Sequence, residues 1–213
     1  GKLEKVNIEY VSANPTGPMH IGHARGAVFG DSLANLLEYV GYDITREYYI
    51  NDSGQQINNL AKSVYFRYLE LLNNDKILFT DDMYPGEYLI PVAQIIIKKY
   101  GDKFLRLEES EWIEIFKKIS IDCMMNLIKE DLLSINISHD VFTSENSIKS
   151  NGYIDKVVNI LDNNNMIYEG VLEAPKGLKK EDWESRPQLL FKSTLHGDDL
   201  DRPLKKSDNS WTY

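Results

Sequence analysis

The chain is 213 residues long, with a formal net charge of −9 and 42% apolar against 27% charged residues. That length carries one or two domains with a real core, and the mix excludes wholesale disorder. Its single cysteine, Cys123, excludes an internal disulfide and a Cys-rich zinc site, and the longest apolar stretch, 88–97, is too short to span a bilayer. No basic and apolar leader pattern opens the sequence, and the acidic total argues against a simple basic nucleic-acid-binding module.

Residues 6–11 alternate apolar and polar side chains and predict a strand. Ser12–Pro18 is turn chemistry, with Asn-Pro and Gly-Pro steps. From His20 a helical period takes over through Ile21, Ala24, Val28, Leu33, Leu36, Leu37 and Val40, with Gly41 placed as its stop. Residues 43–50 predict a second strand. Asn51, Asp52 and Ser53 then supply cap residues for a helix striped by Ile57, Leu60, Ala61, Val64, Tyr68, Leu71 and Leu72. This β-α-β-α order predicts an α/β fold, a parallel sheet with helices on its faces. After a polar connector at 73–86, helices are expected near 87–100 and 109–133, a short strand at 139–142 and a helix at 152–164. From Met166 the pattern turns β-rich (166–172, 188–194, 202–206 and the terminus), with a Pro/Lys/Glu loop at 174–187. The chain opens on Gly1 and ends on Trp211-Thr212-Tyr213, which reads as mid-strand, so a fragment of a longer protein is expected.

The chemistry concentrates in residues 9–26. A strand enters a rigid Gly/Pro turn and then a helix whose first turn carries His20 and His23, three apart and therefore on one face. Gly22 removes a side chain where a ligand can lie against the backbone. A helix start offers free N–H groups and the positive end of the helix dipole. The place just after the first strand of a parallel sheet is where such folds bind nucleotides. The pattern predicts a triphosphate site that uses neither metal-ligating carboxylates nor a P-loop lysine, since no G-x-x-x-x-G-K-[ST] string occurs.

His20-Ile21-Gly22-His23 resembles the HIGH signature of class I aminoacyl-tRNA synthetases. The run from Glu9 to Asn14 into Pro-Thr-Gly-Pro, the string 46–52 with Gly54 and Gln56, and the tail strings Gln188–Phe191, Gly197–Asp199, Asp201-Arg202, Lys206–Asp208 and Thr212-Tyr213 are similar to the arginyl-tRNA synthetase family. The resemblance implies a Rossmann-like nucleotide-binding sheet of the class I synthetase type, laid out as a first half at 1–72, a mostly helical insertion at 73–165 and a β-rich, truncated return at 166–213. It implies ATP-dependent activation of L-arginine to arginyl-adenylate and transfer to tRNA(Arg), with ATP as substrate, Mg²⁺ on its phosphates and no structural metal. His20, Gly22 and His23 would be the ATP site, with both histidines donating to phosphate. Glu9 and Tyr213 would contact the guanidinium, and Ser12 and Asn14 the substrate's α-amino end. A cytoplasmic parent, monomeric and without a membrane partner, is the further expectation.

Arg25 stands evenly between phosphate contact and helix surface, and Asn51 and Asp52 between cap and pocket wall. Trp112, Trp183 and Trp211 are expected to pack, Cys123 to lie in the core, and the lysine pairs 179–180 and 205–206 to be solvated. A K-M-S-K-S-type loop, the second half of the sheet, the anticodon-binding domain and the family's N-terminal domain are missing from these residues, so the polypeptide alone is expected to be inactive. Two other readings stay open on the residues: an H-x-G-H nucleotidylyltransferase, and a non-catalytic synthetase-like module. The acidic total weighs less once residues 1–70 are counted, which hold 6 Lys/Arg against 8 Asp/Glu.

Overall fold

A computed structural model describes residues 1–172, 186–206 and 209–212. The chain forms two compact units, Gly1–Ile148 and Lys149–Tyr213. These limits differ from the boundaries at 72 and 165 drawn on the sequence, because a strand late in the middle segment returns to the first sheet.

In the first unit, β1 (Lys5–Glu9), β2 (Asp43–Ile50) and β3 (Val141–Ser144) form a parallel sheet in the order β1-β2-β3. The register pairs Glu9 with Glu47 and Tyr48 with Phe142. Parallel neighbours need long crossovers. The first crossover is α1 (Ile21–Tyr39); the second holds α2 (Gln55–Asn73), a 3-10 turn at Glu87–Leu89, α3 (Ile90–Tyr100) and α4 (Glu109–Ser134).

The helix α2 buries Ile57, Leu60, Ala61, Val64 and Tyr68, as its period predicts, while Leu71 stays exposed. Leu60, Ala61, Val64 and Tyr68 meet Val92 and Ile96 of α3 and Trp112, Phe116 and Met124 of α4 in an aromatic-rich core. Trp112 stacks on Tyr65 at 3.9 Å, and Phe116 meets Tyr68 edge-on at 5.6 Å. At 26 residues, α4 is about 39 Å long at 1.5 Å per residue. Its second half leaves this core and buries Met125, Ile128 and Leu132 with Tyr10, Ala27 and Tyr48 of the sheet layer. Cys123 packs at the edge of the helical core, and burial pushes its thiol pKa up.

The apolar stripe expected on α1 points the other way. Ile21, Val28 and Leu36 are exposed, and the buried residues are Ala27, Gly30 and Ala34. A helix lying close on a strand needs small residues at the contact. A Cβ on Gly30 would sit 2.3 Å from the Tyr10 ring.

In the second unit, α6 (Tyr153–Asn163) follows α5 (Glu145–Ser150), which begins in the first. The strands β4 (Ile167–Gly170), β5 (Gln188–Phe191) and β6 (Arg202–Pro203) make an antiparallel sheet in that order. Asp201 accepts hydrogen bonds from Tyr168 Oη (2.8 Å) and from the Thr194 backbone and hydroxyl (3.0 and 2.7 Å), and Arg202 pairs with Asp198. The expected terminal strand is a single bridge between Lys205 and Trp211, whose ring the Lys205 ammonium overlies at 4.5 Å. Trp183 and most of the 174–187 loop lie outside the described residues. No helix among the described residues is long and apolar enough to cross a membrane. We expect Phe116→Ala to lower the unfolding free energy of the first unit by about 3–5 kcal/mol through a cavity in the helical core, measured by urea denaturation.

Candidate nucleotide and amino-acid site

Glu9 closes β1, and the chain then leaves the sheet through Val11 (φ 68°) and Ser12 (φ 42°), both in the left-handed region. A β-branched residue there is costly, about 1–3 kcal/mol per strained residue, and such strain persists where surrounding contacts hold it. The contacts are specific. Ser12 Oγ donates to Glu9 Oε1 and accepts from the Tyr49 N–H at 3.0 Å. The buried Tyr48 hydroxyl donates to Ala13 O at 2.8 Å. Asn14 Nδ2 donates to Gln56 Oε1 at 2.7 Å, tying the turn to the first turn of α2. Sequence position thus brings Glu9 and Ser12 together and gives Asn14 a partner forty-two residues on.

His20 is the N-cap of α1. Its Nδ1 accepts from the Gly22 N–H at 3.1 Å, and His23 Nδ1 accepts from the His20 N–H at 3.4 Å, which makes a reciprocal capping box. The two rings stack at 3.6 Å. An Nδ1 that accepts carries no proton, so the proton of each neutral ring sits on Nε2. The helix start therefore carries two imidazole Nε2–H donors, while the Gly22, His23 and Ala24 amides are already taken up by His20. Gly22 has a tight local role as well: a Cβ there would stand 3.0 Å from the His20 ring. The histidine spacing is legible in the sequence; the capping function is not, because Ser, Thr, Asp and Asn are the usual cap residues.

The expected cap residues of α2 do other work. Its N-cap is Gly54 with no side-chain bond. Asp52 instead accepts from Ser144 Oγ (2.6 Å) and the Asn146 N–H (2.8 Å), and Ser53 donates to the buried Glu145 at 2.6 Å, so the ends of β2 and β3 are tied together. Beside them a polar cavity of about 430 Å³ opens, lined by Asp52, Asn146 and, on α4, Glu114, Lys117, Lys118 and Asp122. Sequence patterns gave no signal for this cavity, since α4 contributes from far along the chain. Arg25 lies on the outer face of α1, in a groove with Gly22, Val28 and Phe29. Tyr213 lies outside the described residues. Among the described residues no group of three or more His, Cys, Asp or Glu is placed to hold a metal ion.

Burial, and then the charge of His20, pull the His23 pKa below its ordinary value. Only the neutral ring can accept at Nδ1, so the cap is intact above the unfolded-state value of about 6.5 and is lost as pH falls through the lower folded value. An NMR titration of the His23 ring should give a midpoint below that of an unstructured peptide, with the His20 amide losing protection over the same interval.

Comparisons with known proteins give the family and the fold. The family described as tRNA synthetases class I (R), catalytic domain, matches residues 1–213. An arginine–tRNA ligase of Rickettsia bellii is 56% identical over 212 residues, covering all of this chain and 37% of the relative, so the chain spans little more than a third of that protein's length. A Campylobacter jejuni protein assigned to the arginyl-tRNA synthetases superposes with a TM-score of 0.82 at 34% identity, over 99% of this chain and 42% of that one. Thermus thermophilus arginyl-tRNA synthetase, at 19% identity, shares the fold with a TM-score of 0.63 over 99% of this chain and 34% of its own. With two capping histidines on the helix that follows the first strand of a parallel sheet, and a family match along its whole length, this chain belongs to the class I arginyl-tRNA synthetase catalytic-domain family.

Proposed function

We propose that these residues form the front of a catalytic domain that activates L-arginine with ATP and passes the arginyl group to tRNA(Arg), as part of a longer, monomeric, cytoplasmic enzyme. The observation that carries the reading is the His20–His23 capping box. It leaves an Nε2–H donor on each ring at a helix start. In the first step the ionised substrate carboxylate attacks the α-phosphate of ATP and pyrophosphate leaves. No general base is needed, so catalysis rests on positioning and on donors aimed at the charge that develops on phosphate oxygens. Mg²⁺ would travel with ATP and screen those phosphates, since the described residues supply histidine donors there and no carboxylate cluster.

Glu9 would take the guanidinium, whose planar fork of N–H donors suits a carboxylate. Ser12 donates to Glu9 and is itself held by the Tyr49 amide, so it fixes the carboxylate's direction. Asn14 would meet the α-amino end and Tyr213 the guanidinium. A pocket of this kind rejects lysine by leaving acceptors unpaired, which needs no editing site. Residues 73–165 would be an insertion into the nucleotide-binding half, and 166–213 the return to it. The nucleotidylyltransferase reading has no observation in its favour beyond the shared H-x-G-H spacing.

ATP–pyrophosphate exchange with arginine, with and without tRNA, tests the reading. The 213-residue chain, which has no K-M-S-K-S-type loop, should show little or no exchange. In the full-length enzyme His20→Asn keeps a good helix cap and removes the outward donor, so exchange should fall by about 10²–10³-fold with the fold intact. Glu9→Gln should raise the KM for arginine by roughly tenfold or more, the worth of a charged hydrogen bond. Unchanged exchange in both variants would defeat the proposal.

A further inference from the structure

The turn that carries the site leaves the sheet strained and re-enters regular structure only at His20. Among the described residues, Thr16–Met19 make two hydrogen bonds to other elements. The Tyr88 hydroxyl donates to Thr16 O at 2.8 Å, and the Met19 N–H donates to Asp131 Oδ2 at 3.1 Å. Tyr88 belongs to the 3-10 turn before α3, and Asp131 to the last turns of α4. Both partners therefore come from the helical segment between β2 and β3, which carries no signature of its own.

The fit at Tyr88 is close. A Cβ on Gly17 would lie 3.1 Å from the Tyr88 hydroxyl oxygen and 3.2 Å from Cζ, so the ring sits directly on bare backbone. Burial raises the Tyr88 pKa from an ordinary value already well above neutral, so the hydroxyl is a donor. At the other tie, the Met19 side chain packs with the cluster of Met125, Ile128 and Leu132 on α4. One residue after Met19 comes the cap.

We propose that Tyr88 and Asp131 are positioning residues for the nucleotide-binding turn: through Thr16 and Met19 they set the height and direction at which His20 and His23 enter α1. The inference rests on the reading of that turn as the nucleotide site. It makes the helical segment a part of the site's machinery with no substrate contact of its own.

Three variants of the 213-residue chain test it: Tyr88→Phe, which keeps the ring; Asp131→Leu, which removes the acceptor; and Asp131→Asn, which keeps one. Hydrogen exchange of the Gly17, Met19 and His20 amides should quicken by about tenfold in the first two variants, the worth of one net hydrogen bond. Exchange in α3 and the helical core should stay at the parent rate, and Asp131→Asn should match the parent throughout. The NMR ring signals of the stacked His20 and His23 should move toward those of isolated imidazoles in Tyr88→Phe. ATP affinity, measured by calorimetry, should fall together with the exchange protection. Parent-like exchange and ring signals in Tyr88→Phe overturn the proposal, as does loosened exchange with unchanged ATP affinity. A full-length enzyme that binds no ATP refutes the nucleotide reading separately. The positioning claim is then decided by the exchange and ring-signal outcomes alone.

Discussion

Everything at this site depends on an eleven-residue backbone path, Tyr10 to His20, that must turn out of a strand and into a helix without a ladder to hold it. Val11 and Ser12 adopt left-handed angles that ordinary L-residues avoid. Such a path persists only when its carbonyls and amides find partners elsewhere. Here side chains serve as partners: Tyr48 at the Ala13 carbonyl, Tyr88 at the Thr16 carbonyl and Asp131 at the Met19 amide, with a side-chain tie from Asn14 to Gln56. Burial pushes the pKa of both tyrosine hydroxyls up. The turn is thus built as much by residues outside it as by its own glycine and prolines.

The long helix α4 links this polar scaffolding to the hydrophobic core. Its first half is locked by Trp112 and Phe116 into the helical cluster, and its second half lies beneath the sheet. Asp131 is carried on that second half. The burial that stabilises a motif-free helical segment is therefore the same burial that fixes a hydrogen bond one residue from the cap. Packing and site geometry share a single rigid element, which is how functional groups are held to sub-ångström tolerance on a scaffold.

What could be read in the sequence follows from the range of each interaction. The stripe of α2 was legible because most of its face, through Leu60, Ala61, Val64 and Tyr68, meets a deep core. The stripe of α1 was misread for the opposite reason: its sheet contact is made through Ala27, Gly30 and Ala34, which carry little hydropathy, while the bulky residues face out. The place of the histidine pair on one face of a helix start was legible by spacing, and the turn at Ser12 and Asn14 by its residue types. The partners that hold them were not, since Tyr48, Tyr88 and Asp131 lie 35, 72 and 112 residues from the atoms they bind. The tail strings around Asp198–Arg202 were legible as family markers, yet in the structure they serve one another, with Asp201 and Asp198 saturated by Thr194, Tyr168 and Arg202.

Gly30, where α1 touches the ring of Tyr10, acts as a fulcrum. It stands nine residues from the helix start, a lever arm of roughly 13 Å. A rotation of about 4–5° about that contact moves the capping histidines by about 1 Å, a displacement of the size that spoils near-attack geometry. The missing methyl group at position 30 is therefore an alignment tolerance for a pair of histidines two and a half turns away. That tolerance leaves no mark in any motif and is set by how closely a helix can lie on a tyrosine.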